Sequence, residues 1–344
     1  MMGKRLVGGL LALTLAACGG ADGSSTSAAG GSGAGERAPS TPAEPATPSQ
    51  EGSGAGILTA GAWDDNRNYA LFRRYADAHA SALPLSRSEQ DQAQLEFGGD
   101  RAPKAAVDAA IVIDTTGSMG DEIAYLRAEL SGIAGTVAAA HPGAPQRWAV
   151  IAYRDQGDAY VTRVSSFGSL AQTQQSLASL SAGGGGDYPE APDAALAALQ
   201  QLSWSPGGDT ARVAFWIADA PSHAEKRAAL ASAVRDARAA GIHVYPVAAS
   251  GADEDTEAQM RATAQLTGGR YLFITDDSGV GSSHMEPSVP CYFVTKLRSA
   301  MERMIVMELT GAYLGPNPGE ILRTRGAPQQ GLCVLSDGTS ASAF

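Results

Sequence analysis

A doubly wound, mainly parallel α/β sheet with helices on both faces is the architecture this sequence predicts. Short apolar runs at Ala109 to Ile113, Trp148 to Tyr153, Val213 to Ala218 and Val244 to Ala248 have the length and unbroken apolar character of strands buried on both sides. Amphipathic stretches separate most of them, and alternating strand and helix signals favour parallel pairing through crossover helices. Acidic residues collect where several runs end, and the carboxyl ends of open α/β sheets are where ligands bind.

In chain order, residues 1–17 join Lys4 and Arg5 to an apolar segment too short to span a bilayer, which predicts an export signal. The ending Leu15-Ala16-Ala17-Cys18 resembles the lipobox of bacterial lipoproteins, which implies cleavage before Cys18 and lipidation of its thiol. Gly19 follows instead of Asp, so the resemblance implies a place in the bacterial cell envelope, at an outer membrane in preference to an inner one, with membrane contact through the lipid only. Residues 18–56 are almost all Gly, Ser, Ala, Pro, Thr and Glu and lack the apolar surface that would offset the entropy of ordering, which predicts a disordered tether of roughly 30 to 40 Å. Residues 57–104 read as a small appended segment, with Tyr69, Phe72 and Ala76 at helical spacing behind an Asp-Asp-Asn start suited to a helix cap.

The main domain is expected over 105–310. Beyond the first strand, Ile123, Leu126, Leu130, Ile133 and Val137 form one apolar helical face. Ala159 to Phe167 alternates as an edge strand would, and Asp193 to Leu202, Ala224 to Ala240 and Asp255 to Thr267 read as further helices. The run Asp253, Glu254, Asp255 and Glu257 fits the acidic first turn that the helix dipole favours. Phe293, Leu297, Met301 and Met304 make another helical stripe, read as core packing, with Pro287 and Pro290 before it; residues 311–344 form a tail without periodicity. The formal charge is −11, or about −13 once Lys4 and Arg5 are removed, and four lysines without a basic cluster exclude a nucleic-acid footprint. Cys291 and Cys333 remain, and in an exported chain they are expected to form a disulfide.

The chemistry centres on Ile111 to Gly120, IVIDTTGSMG. Asp114, Thr116 and Ser118 alternate with Thr115 and Gly117, so three oxygens can converge on one point, as a hard cation such as Mg²⁺ requires at about 2.0 to 2.1 Å. A strand followed by a helix cap would use the same residue types. DTTGSMGDEI resembles the first loop of the metal-ion-dependent adhesion site of a von Willebrand factor A domain, in its secreted bacterial variety. P-type ATPases and related phosphatases carry D-K-T-G-T, but Thr115 stands where that chemistry needs Lys, and no G-D-G-x-x-x-D loop follows. GGGGDYPEAP from Gly183, IADAPSH from Ile217 and TDDSGVGSSHMEP from Thr275 look like further segments of the same family, in the same order.

The resemblance implies metal ligands Asp114, Thr116 and Ser118 from the first loop, Asp187 from the second and Asp219 from the third, holding Mg²⁺ or Mn²⁺ in preference to Ca²⁺. The better-known sites have Thr where this chain offers Asp187. Three directly bound carboxylates would more than neutralise a divalent cation, so Asp187 or Asp219 is expected to act through water. Asp155, Asp158 and Glu190 read more simply as solvated or capping carboxylates, and His223 and His284 as surface or core histidines.

The function expected is a cell-envelope-anchored, metal-dependent binding or adhesion module that captures a protein or other macromolecule offering a carboxylate. A metal-dependent phosphoryl or ester hydrolase and a metal-stabilised envelope scaffold remain as alternatives. No catalytic residue is assigned, because no G-x-S-x-G, H-E-x-x-H or Walker loop is present.

Overall fold

A computed structural model describes residues 58–279 and 283–344. The expected signal peptide, Cys18 and the tether lie outside the described residues. No helix among those described is long and apolar enough to cross a membrane.

The strands are β1 (Thr59–Trp63), β2 (Ala106–Asp114), β3 (Gln146–Tyr153), β4 (Thr162–Gly168), β5 (Thr210–Ala218), β6 (Ile242–Ala248), β7 (Tyr271–Thr275), β8 (Tyr292–Lys296), β9 (Arg323–Arg325), β10 (Leu332–Val334) and β11 (Ser340–Ser342). The α-helices are α1 (Tyr69–Ala78), α2 (Arg87–Phe97), α3 (Gly120–Ala140), α4 (Leu170–Ala178), α5 (Pro192–Ala197), α6 (Arg227–Ala239), α7 (Glu254–Thr267) and α8 (Leu297–Thr310). One sheet has the order β4-β3-β2-β5-β6-β7-β1-β8-β9, and β10 pairs with β11 apart from it. Strands β3, β2, β5, β6 and β7 run parallel, while β4 joins antiparallel at one edge, as the alternation of its sequence leads one to expect.

Both faces of the sheet are covered, which is why its central strands are apolar without alternation. One core layer takes Ile123, Leu126, Leu130, Ile133 and Val137 of α3 together with Leu297, Met301 and Met304 of α8. The other takes Ala93 and Phe97 of α2, Leu196 of α5, Leu230 and Val234 of α6, and Met260 and Leu266 of α7. Each large aliphatic side chain so buried contributes about 1.5 to 3 kcal/mol. The doubly wound, mainly parallel architecture expected from the sequence is therefore present, with three differences in detail.

First, residues 57–104 supply more than a helical segment beside the domain. Helix α1 does form, but Thr59–Trp63 enters the sheet as β1, antiparallel between β7 and β8. The turn after β1 is then locked to α7 and β7 by buried pairs, Asp65 with Arg261 and Asp64 with Arg270. Second, Phe293 belongs to β8, and the helical stripe starts only at Leu297. Third, residues beyond 310 are built into the structure. Strand β9 extends the sheet, Cys333 is bonded to Cys291, and Asn68 exchanges two hydrogen bonds with the backbone of Ser342 as a neighbouring strand would.

Candidate functional site

Chain connections place a crevice at the ends of β2 and β5. The connection from β2 runs through α3 on one face and that from β5 through α6 on the other, so the sheet's winding reverses between these adjacent strands. Crevices of this kind, outside the carboxyl ends of the strands, are where open α/β sheets bind ligands. Asp114 closes β2 and Asp219 follows β5.

Asp114 is fully buried. Its Oδ1 accepts hydrogen bonds from the Thr116 amide at 2.9 Å and the Thr116 hydroxyl at 2.7 Å, whereas Oδ2 is buried without a partner among the described residues. Burial pushes the Asp114 carboxyl up to about 7, opposed by the Thr116 amide and reinforced by the charge of Asp219. Asp219 is raised by its own burial, and the Ser118 hydroxyl beside it acts in the opposite sense. Asp114, Thr116, Ser118 and Asp219 are thus brought together.

The glycine-rich loop completes the crevice. Gly183 donates to the Thr115 carbonyl at 3.1 Å, and Gly184 and Gly185 adopt φ of +79° and +73°, a region favouring glycine. Asp158 holds this bend, accepting from the Gly185 amide at 3.0 Å, and its carboxylate occupies the space a Cβ on Gly184 would need. Tyr188 ties the far side of the loop down, its hydroxyl 3.1 Å from the Asp219 carbonyl and 3.0 Å from that of Gly251.

Glu190 emerges from this loop as a member of the site to which the sequence lent little weight. Its amide donates to the Pro221 carbonyl at 2.9 Å, it is 3% exposed, and its Oε2 has no partner among the described residues. Burial pushes Glu190 up to about 9, with Asp114, Asp155, Asp158 and Asp219 adding their charges. The only sequence signal for it was its position just beyond the glycine loop. Asp187 lines the same depression as Thr116, Ser118, Glu190 and Asp219, but it is exposed and its carboxylate clusters with Asp155 and His223. In that cluster His223 Nε2 lies 2.9 Å from Asp155 Oδ1.

His284 serves a different loop junction. Its Nδ1 lies 2.7 Å from Asp276 Oδ1 and its Nε2 3.0 Å from the Ser250 hydroxyl, which in turn bonds Glu122 of α3 at 3.0 Å. Residues 280–282 of the TDDSG segment lie outside the described residues.

The orphaned oxygens of Asp114 and Glu190, the raised carboxyl of Asp219 and the adjacent hydroxyls form a donor set made of hard oxygen, suited to a divalent cation. The fold and this rim define a doubly wound α/β domain with an acidic, hydroxyl-lined crevice at its switch point. Residues 109–279 match the family model described as the von Willebrand factor A domain. Among curated proteins, an ariadne-like RING finger protein of Acanthamoeba polyphaga mimivirus is 33% identical over 126 residues, 36% of this chain and 12% of that protein. Among solved structures, the pilus adhesin SpaC from Lactobacillus rhamnosus GG in its open conformation superposes with a TM-score of 0.36 at 13% identity, covering 49% of this chain and 27% of the adhesin. Proximal thread matrix protein 1 from the mussel byssus gives a TM-score of 0.34 at 11% identity, over 47% of this chain and 40% of that one. The chain spans well under two thirds of the length of each of these relatives.

Proposed function

We propose that this domain is a cation-dependent binding module that captures a carboxylate-bearing protein or other macromolecule at the β2–β5 rim. The observation that carries the reading is the buried, unpartnered Oδ2 of Asp114 at the switch point, set among Thr116, Ser118, Asp219 and Glu190. Unpaired buried carboxylates are costly, and a cation is the partner these oxygens suit.

Asp114, Thr116, Ser118 and Asp219 would hold the cation, with Glu190 beside them and Asp187 reaching it through water. Bound Mg²⁺ or Mn²⁺ would supply a coordination position that a partner's carboxylate can occupy. Thr116 and Ser118, being neutral donors, leave positive charge for that partner, while Asp158 and Tyr188 hold the glycine loop open around it.

Calorimetric titration of Mg²⁺ and Mn²⁺ into wild type and Asp114→Ala tests the site, followed by partner capture from envelope extracts with and without chelator. Binding is expected to be lost in the variant and capture lost with chelation; capture that persists in excess chelator refutes the mechanism.

We further propose that the domain is held at the bacterial envelope by a lipid on Cys18, which the Leu15 to Cys18 sequence supports. Radiolabelled fatty acid incorporated by wild type and by Cys18→Ser alike would overturn that placement.

A further inference from the structure

Beside the Asp114 crevice, a second donor set differs from it in chemistry. Asp155, Asp187 and His223 each bring one ligand atom within 4.8 Å of the others. They come from three loops that the fold draws to one rim, after β3, within the glycine loop and after β5. The set contains an imidazole nitrogen, which the Asp114 site lacks.

Two observations favour a cation over a merely solvated cluster. Asp155 is 6% exposed, and among the described residues its ion-pair partner is His223. Glu190, whose Oε2 is buried without a partner, lines the depression with Asp187, and its backbone bridges to Ser222 next to His223. Asp155 is also among the charges that raise Glu190, after burial and the charge of Asp114.

We propose that Asp155, Asp187 and His223 form a second metal site, selective for an ion such as Zn²⁺ or Co²⁺ over Mg²⁺. Imidazole together with carboxylates suits such ions, whereas Mg²⁺ prefers oxygen alone. Zinc sits about 2.0 to 2.2 Å from such donors, and the 2.9 Å between His223 Nε2 and Asp155 Oδ1 is a separation that two adjacent ligands of one ion can have. The ion takes the place of the hydrogen between these two atoms. That proton is released, or moves to Nδ1, as the Nε2 lone pair turns to the metal. The remaining positions are left to water or to a group of the bound partner, so the rim would carry a hard oxygen site and a mixed nitrogen–oxygen site side by side.

The test uses the purified full chain, titrated with Zn²⁺ and with Co²⁺ as a visible-absorbing substitute, in wild type, Asp114→Ala, His223→Ala and His223→Gln. Wild type is expected to bind two equivalents of Co²⁺, Asp114→Ala one with the visible bands retained, and both His223 variants one with those bands lost. Thermal melts of the two His223 variants check that they are folded. Zn²⁺ and Co²⁺ stoichiometry unchanged in folded His223→Gln, or no Co²⁺ bands in wild type, overturns the second site. Loss of Mg²⁺ binding in Asp114→Ala reports on the first site separately.

Discussion

Asp65, in the turn after β1, accepts two hydrogen bonds from one guanidinium: Arg261 of α7 approaches Oδ1 through Nη2 at 2.7 Å and Oδ2 through Nε at 3.1 Å, with both side chains buried. Removing one member of such a pair strands the other charge, which typically costs about 3 to 5 kcal/mol. Glu257 also reaches Arg261, at 3.1 Å, so Asp65→Ala is expected at the lower end, about 3 kcal/mol. Urea denaturation measures this; a loss below about 1 kcal/mol would mean that β1 is not held by this pair.

A cation bound only by the folded state stabilises it by mass action. Mg²⁺ at a hundred times its dissociation constant is expected to add about 2.7 kcal/mol to the unfolding free energy. Asp114→Ala should show no such gain in a differential scanning measurement, and an equal gain in both proteins would place the cation elsewhere.

Burial lifts Asp114 from 3.8 to about 7 and Glu190 from 4.5 to about 9. The cation-free folded protein therefore keeps protons that the unfolded chain has already released. The stability these two groups contribute is full below about pH 4 and declines as pH rises through 7 towards 9. Cations compete with those protons, so Mg²⁺ affinity should climb over the same interval. Melting in EDTA from pH 4 to 9 checks the sign, and Glu190→Gln should flatten the upper part; a melting temperature level across that range in wild type contradicts it.

Gly184 and Gly207 have similar backbone angles, φ of +79° and +84°, but different surroundings. A Cβ on Gly184 meets the Asp158 carboxylate, while one on Gly207 meets open space. Gly207→Ala is expected to cost about 1 kcal/mol of backbone strain, and Gly184→Ala roughly 2 to 3 kcal/mol together with weaker Mg²⁺ binding. Equal losses by denaturant titration would show that Asp158 does not shape the loop.

The disulfide between Cys291 and Cys333 closes 42 residues and fastens the β10–β11 hairpin to β8. Loop-closure entropy at this length corresponds to about 4 kcal/mol. The Cys291→Ala/Cys333→Ala double variant should unfold at correspondingly lower guanidinium concentration than oxidised wild type; coincident curves would show that the bond does not stabilise the native state.

Much of the fold was legible because burial on both faces writes itself into consecutive residues. Ile111, Val112 and Ile113, or Phe215, Trp216 and Ile217, have no other simple reading, and the 3-4 spacing from Ile123 to Val137 marks a helix laid on a sheet. Strand β1 was hidden because Thr59-Ala60-Gly61-Ala62-Trp63 is short and rich in small residues, and its partner Thr275 lies 216 positions away. Gly61 suits that place because a Cβ there would run into the Phe273 ring, a constraint that exists only once the strands are paired.

The site divides in the same way. The local order Asp-x-Thr-x-Ser by itself brings the Thr116 amide and hydroxyl to Asp114, since such contacts span only a few bonds. Tertiary structure alone decided that Glu190 is the buried carboxylate beside Asp114 while Asp187 faces outward to Asp155 and His223. The two acids are separated in the chain only by Tyr188 and Pro189. Their directions are set by two left-handed glycines, by Asp158 behind them, and by the backbone bond from Glu190 to Pro221, and no periodicity in the chain encodes contacts between loops so far apart.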